Sequence, residues 1–186
     1  MNSPRLSFRR HRLLIIGAAI GAASLGLMGS ASAQAADSRG TAVSAADRKF
    51  VEEAAQGGMA EVLMGQMAQQ RASHAQVKAF GQRMVVDHGK ANEELKRVAS
   101  AKNVQLPTTL GSAHQRHADG MSKLSGVEFD QAYMKHMVED HKKDVADFEK
   151  AAKSANDANV KNFASRTLPT LQSHLKLAQT TYDAVK

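Results

Sequence analysis

The 186-residue chain carries 25 basic and 18 acidic residues, a net charge of +7, with 42% hydrophobic residues and no cysteine. Without cysteine there are no disulfides, no thiol chemistry and no thiolate metal sites, so any metal must be held by His, Asp, Glu or Met. No run of lysines or arginines with interleaved aromatics lies beyond the first forty residues, which excludes nucleic acid as an expected partner.

Residues 1–33 read as a cleavable signal peptide. Arg5, Arg9, Arg10 and Arg12 precede an apolar run from Leu13 to about Gly29. Ala31-Ser32-Ala33 or Ala33-Gln34-Ala35 then supplies a cleavage motif. The run approaches the roughly 18 apolar residues that span a bilayer, but its glycines and the A-x-A motif favour cleavage. Arg9-Arg10 leaves the export route open between the general and twin-arginine pathways. The leader takes four of the 25 basic residues and none of the 18 acids, so the remainder of the chain carries 21 against 18, or +3. The expected location is the periplasm or the outside of a bacterial cell, with no stable membrane span after cleavage. Residues 34–44 are small and polar and read as a linker.

From residue 45 on, apolar residues keep a helical period and no stretch alternates like a strand. Five Ser-x-x-Asp/Glu/Gln patterns predict capping boxes. They are Ser44 with Asp47, Ser73 with Gln76, Ser112 with Gln115, Ser125 with Glu128, and Ser154 with Asp157. These predict α1 over 45–71, α2 over 74–102, a short α3 over 113–124, α4 over 126–154 and α5 over 157–185. Four long helices with one apolar stripe each bury those stripes as a four-helix bundle. Pro107 and Gly111 mark one connection long enough to recross the bundle, which makes α2 and α4 parallel. Pro169 falls inside α5, where it removes a backbone donor and should kink the helix.

The pentapeptide MVVDH at 84–88 returns as MVEDH at 137–141. A helix turns about 100° per residue, so positions three, four and seven apart share a face. By that count His88 shares its face with Met84, Ala91 and Leu95, and His141 shares its face with Met137, Val138, Val145 and Phe148. Glu61 and His174 fall on the inner faces of α1 and α5. Each long helix therefore contributes one inward polar group near its middle, and unpaired burial of such groups is costly. They either form a hydrogen-bonded layer that fixes packing or hold a transition metal such as iron, zinc or copper. The metal reading takes Glu61, His88, His141, Asp144 and His174 as ligands. Asp87 and Asp140, one residue off the seam, are the expected supports of their neighbouring histidines. Met134, His136 and Met137 form a further soft-ligand group suited to copper. Counted from the helix turns, Glu61 and His88 differ in depth by about 7 Å, as do His141 and His174, at about 1.5 Å per residue.

The stretches FVEEAAQGGMAEV (50–62), FGQRMVVDHGKANEEL (80–95), FDQAYMKHMVEDHKKDVADFEKAA (129–152) and TLPTLQSHLKLAQ (167–179) resemble domain-of-unknown-function family 4142. Its members are exported bacterial proteins classed with the ferritin-like bundles. The resemblance covers about residues 45–183 and implies a ferritin-like up-down bundle, here the domain 45–186, and export across the inner membrane; it implies no activity. Di-iron bundles place Glu-x-x-His on two of their helices. Here Val85 and Val138 occupy the glutamate positions before His88 and His141, so ferroxidase chemistry is not expected, and neither is enzymatic activity. A histidine-rich site for one ion fits the residues better, with a purely structural envelope protein as the alternative. The sequence leaves the oligomeric state open.

Overall fold

The structure is a computed structural model and describes residues 43–186; the signal peptide and nearly all of the linker expected from the sequence lie outside these described residues. Five helices occur in order, α1 (Ala45–Arg71), α2 (Ala75–Ser100), α3 (Ser112–Met121), α4 (Gly126–Ser154) and α5 (Ala158–Val185). Two contacts between helix ends fix their directions. Ala72, just past α1, forms an isolated bridge to Gly126 at the start of α4. Asp47, at the start of α1, accepts from the backbone of Asn156 and Asp157 beyond the end of α4. α1 and α4 are therefore antiparallel, so α2 and α4 are parallel, as the length of their connection predicts. α1 packs on α2, α2 on α5, α5 on α4 and α4 on α1, closing a four-helix bundle, with α3 laid against α1 and α4.

The helices form where the sequence places them, but four of the five predicted capping boxes do not. Ser44 does cap α1, accepting from the Asp47 amide at 3.0 Å. Elsewhere acids from distant segments take over. Asp47 accepts from the amides of Asn156 and Asp157 at 3.1 and 2.9 Å. Asp130, near the start of α4, accepts from the amides of Ser73 and His74 and from the Ser73 hydroxyl. Asp157 caps α5 itself, accepting from Asn159 and Val160. Buried Asp47 and Asp130 thus tie opposite ends of the bundle, satisfying amides that a helix start leaves unpaired. At the end of α2 the left-handed Asn103 (φ 52°) turns the chain, and the Val104 amide reaches back to the Ala99 carbonyl at 2.9 Å, a Schellman-type stop.

α1 and α2 cross closely because two glycines meet. A β-carbon on Gly65 would stand 2.7 Å from the Gly81 carbonyl oxygen, and one on Gly81 would stand 2.6 Å from the Ala68 β-carbon. The core divides in two. One half gathers Met64, Phe80, Met84, Phe129, Tyr133, Met134 and Met137 towards the α1–α2 turn. The other gathers Val51, Leu95, Phe148, Val160, Phe163 and Leu171 towards the α4–α5 turn. Between the two lies a polar layer.

Candidate metal centre

The layer consists of Glu61 (α1), His88 (α2), His141 (α4) and His174 (α5), exposed by 1%, 6%, 0% and 1%. The depth mismatch expected from counting along the helices does not keep them apart. Side chains on a helix lean towards its N-terminus. Glu61 therefore leans away from the α1–α2 turn while His88, farther from that turn, leans back towards it. His141 and His174 converge across the α4–α5 turn for the same reason. His88 Nδ1 comes to 2.8 Å from Glu61 Oε2, and the three imidazole rings stand 5.3–5.7 Å apart. One ring nitrogen of each histidine lies within 4.8 Å of the other two.

The hydrogen bonds settle which nitrogens are free. His141 Nδ1–H donates to the Met137 carbonyl at 2.9 Å, which leaves Nε2 as a lone pair. His174 Nε2–H donates to Asp87 Oδ2 at 2.9 Å, leaving Nδ1. His88 Nδ1–H donates to Glu61 when that carboxylate is ionised, leaving Nε2. These three nitrogens, His88 Nε2, His141 Nε2 and His174 Nδ1, are buried and have no hydrogen-bond partner in the protein, and Glu61 Oε1 shares that condition. Glu61 Oε1 and His141 Nε2 are 3.3 Å apart but lack the alignment of a hydrogen bond. With Glu61 ionised both atoms are acceptors, and either a proton or a cation between them relieves the contact. Two ligands of one tetrahedral ion, bonded at about 2.0 Å, stand about 3.3 Å apart.

Burial keeps the imidazoles neutral and therefore able to ligate. Desolvation, reinforced by the neighbouring histidines, lowers His141 to about 3. Desolvation lowers His174 to about 4 against the opposing pull of Asp87. His88 is lowered chiefly by desolvation as well. Glu61 is pushed up by desolvation and by Asp140, and Asp144 by desolvation, Glu61 and Asp140. Tyr133, whose buried hydroxyl also lacks a partner, is raised by desolvation and by Glu61.

The repeated pentapeptide serves two purposes. Asp87 does not support its neighbour His88; it reaches across to His174 on α5, held also by Arg83 at 3.5 Å. Asp140 does not support His141, whose partner is a backbone carbonyl. Instead Asp140 joins Asp144 and Glu61 in a group whose carboxylate oxygens lie within 4.8 Å of one another. Adjacent residues on a helix project about 100° apart, so Asp87 reaches His174 on α5 while His88 meets Glu61 on α1, whereas Asp140 and His141 both approach Glu61. Asp144 lies in this carboxylate group rather than among the three imidazoles.

Met134, His136 and Met137 are not brought together. Both methionines are fully buried in the core half near the α1–α2 turn, while His136 points the other way and stacks on His117 of α3, ring centroids 4.3 Å apart. His117, His114, Asp140 and Asp144 line a cleft of about 540 Å³ between α1, α3 and α4, a feature missed in the sequence because the packing of the ten-residue α3 against α1 and α4 is a tertiary contact that periodicity does not encode.

Among the described residues, no helix is long and apolar enough to cross a membrane. Fold and site together define an all-α four-helix bundle with a buried layer of three histidines and a glutamate. The chain belongs to the family described as a domain of unknown function (DUF4142), whose sequence profile matches residues 31–181. Solved structures that it resembles include a DUF305 fragment from Deinococcus radiodurans, at 11% identity and a TM-score of 0.67, covering 76% of this chain and 98% of that one. Another is CopM in its Cu(II)-bound form, at 16% identity and a TM-score of 0.62, covering 74% of this chain and 96% of that one. CopM has also been solved in an Ag-bound form, at 16% identity and a TM-score of 0.61, with the same coverage of both chains. At these identities the likeness shows the fold. No curated protein matches the sequence.

Proposed function

We propose that this protein is a non-catalytic metal-binding bundle of the bacterial periplasm, holding one transition-metal ion between His88, His141 and His174 with Glu61 beside it. One observation carries the reading. Three buried imidazoles each have one nitrogen committed to a carboxylate or a carbonyl and the other left without a partner. A polar layer that served packing alone would pair its members with one another, and orphaned buried groups cost about 1–3 kcal/mol each. Histidine ligands held by carboxylate or carbonyl partners are the usual second layer of a metal site. Neutral imidazoles suit zinc, copper, iron and nickel. The Cu- and Ag-bound forms of the structurally similar CopM support copper as the first ion to try.

The single long crossover between α2 and α4 is the connectivity of ferritin-like folds and supports that kinship, while the ligand set departs from the ferritin pattern. Export rests on residues 1–33, succeeded by the linker 34–44 and the bundle domain 45–186. Protein purified from the periplasm should carry close to one equivalent of metal. Metal-free protein given copper, zinc or iron should unfold at higher temperature, by an amount equivalent to about 2.7 kcal/mol at a hundredfold excess over Kd. His88→Ala and His141→Ala should lose both effects. A wild type with no metal and no thermal shift would leave the structural envelope protein as the surviving alternative.

A further inference from the structure

A centre this deep needs a route. His141 and His174 are closed to solvent at 0% and 1% exposure, and the void beside Glu61 and His88 holds only about 20 Å³, roughly one water. Asp144 lines both that void and the cleft of about 540 Å³ that opens between α1, α3 and α4. Asp140 lines the cleft, with one carboxylate oxygen buried and without a partner. Glu61 closes the path. It is 1% exposed, its Oε1 has no hydrogen-bond partner, and an oxygen of its carboxylate lies within 4.8 Å of one from each aspartate. Gly57 lines both the void and the cleft, and a β-carbon there would meet nothing within 4 Å.

We infer that Glu61, Asp140 and Asp144 form a second cation position, outside the histidines, at which a divalent cation sheds water before Glu61 passes it to the tri-histidine centre. The loading role rests on the metal reading of the histidines; the position itself does not. Three carboxyl groups this close repel one another when ionised, and a cation between them removes that cost. Oxygen ligands alone favour a hard ion such as Mn(II) or Mg(II), whereas imidazoles favour zinc and copper, so the two positions differ in chemistry and can be probed apart. Glu61 is common to both, with one oxygen 2.8 Å from His88 and the other 3.3 Å from His141.

Two probes on the full bundle test the proposal. Titration with Mn(II), monitored by electron paramagnetic resonance, should give one bound ion in the wild type and in the His141→Ala/His174→Ala variant. It should give none in Asp140→Asn/Asp144→Asn. Equal manganese binding by the aspartate variant would overturn the position. Stopped-flow mixing with Co(II), read by the visible absorption of a histidine-bound ion, should reach the same final intensity in the aspartate variant as in the wild type, at a rate at least tenfold slower. An unchanged rate would overturn the loading role. Absence of the cobalt band from the wild type would refute the tri-histidine centre and the loading role with it, while the manganese result still decides whether the outer position exists.

Discussion

Asp87→Asn is the perturbation that most sharply separates a metal centre from a packing layer. Asp87 touches no metal position itself; its Oδ2 accepts the Nε2–H of His174 at 2.9 Å and thereby leaves Nδ1 bare. An asparagine amide can donate to Nε2 instead, which moves the ring proton onto Nδ1, the nitrogen otherwise left without a partner in the protein. Loss of such a partner costs 10–100-fold in metal affinity, or about 1.4–2.7 kcal/mol at about 1.4 kcal/mol per decade. Asp87 is part-buried, and an asparagine there can still hydrogen-bond the His174 ring, so the metal-free variant should lose only about 0.5–1.5 kcal/mol, the net worth of one hydrogen bond. Competition against a chelator of known affinity, with Cu(II) or Zn(II), gives the number. Asp140→Asn is the matched control, since Asp140 bonds to none of the three histidines, and its affinity at the histidine centre should stay within about twofold. The reasoning fails if Asp87→Asn binds as tightly as wild type, or if the two aspartates of the repeat prove equivalent.

Three further outcomes concern pH, the helix ends and the glycines. Because His141 and His174 titrate near 3 and 4, protons do not compete for their nitrogens between pH 7.5 and 5. The carboxyl of Glu61, raised by burial, must instead lose its proton to support a cation. Affinity should fall as pH drops through that raised value, by up to about tenfold per pH unit, and Glu61→Gln should flatten the profile; a histidine-like fall centred near 6.5 in both proteins would contradict this. Asp130→Ala strands the amides of Ser73 and His74 and should cost about 2 kcal/mol or more in urea unfolding. Gly57→Ala, with open space at its β-carbon, should stabilise the metal-free protein by about 0.5–1 kcal/mol. Gly81→Ala, driven into the Gly65 carbonyl and Ala68, should destabilise it by about 1–3 kcal/mol; a shared sign in thermal unfolding would show that the α1–α2 crossing is misplaced.

Helix spans and inward faces were legible because the 3.6-residue period of Phe80, Met84 and Leu95, or of Met134, Met137 and Phe148, repeats over many turns. The inward direction of Glu61, His88, His141 and His174 came from the same period. What the period does not encode is contact across elements. Asp47 looked like a local feature of a helix start and Asp130 carried no signal at all, yet their partners lie 110 and 57 residues away, so the expected capping boxes were the wrong unit. Asp87 and Asp140 looked equivalent because they share a pentapeptide, and only the arrangement of neighbouring helices gives one a histidine and the other a pair of carboxylates. The mismatch in depth dissolved because side chains have length and lean, which a count along the helix axis omits. Met134, His136 and Met137 were grouped by adjacency in sequence, whereas one residue of helical rotation sends His136 to the cleft and both methionines to the core.

Anomalous diffraction from crystals soaked in Cu(II) or Zn(II) tests the central claim most directly. One strong peak enclosed by His88 Nε2, His141 Nε2 and His174 Nδ1, at about 2.0–2.1 Å from each, is the result required. Peaks confined to the cleft or the surface, with the three imidazoles still holding no ion, would contradict it.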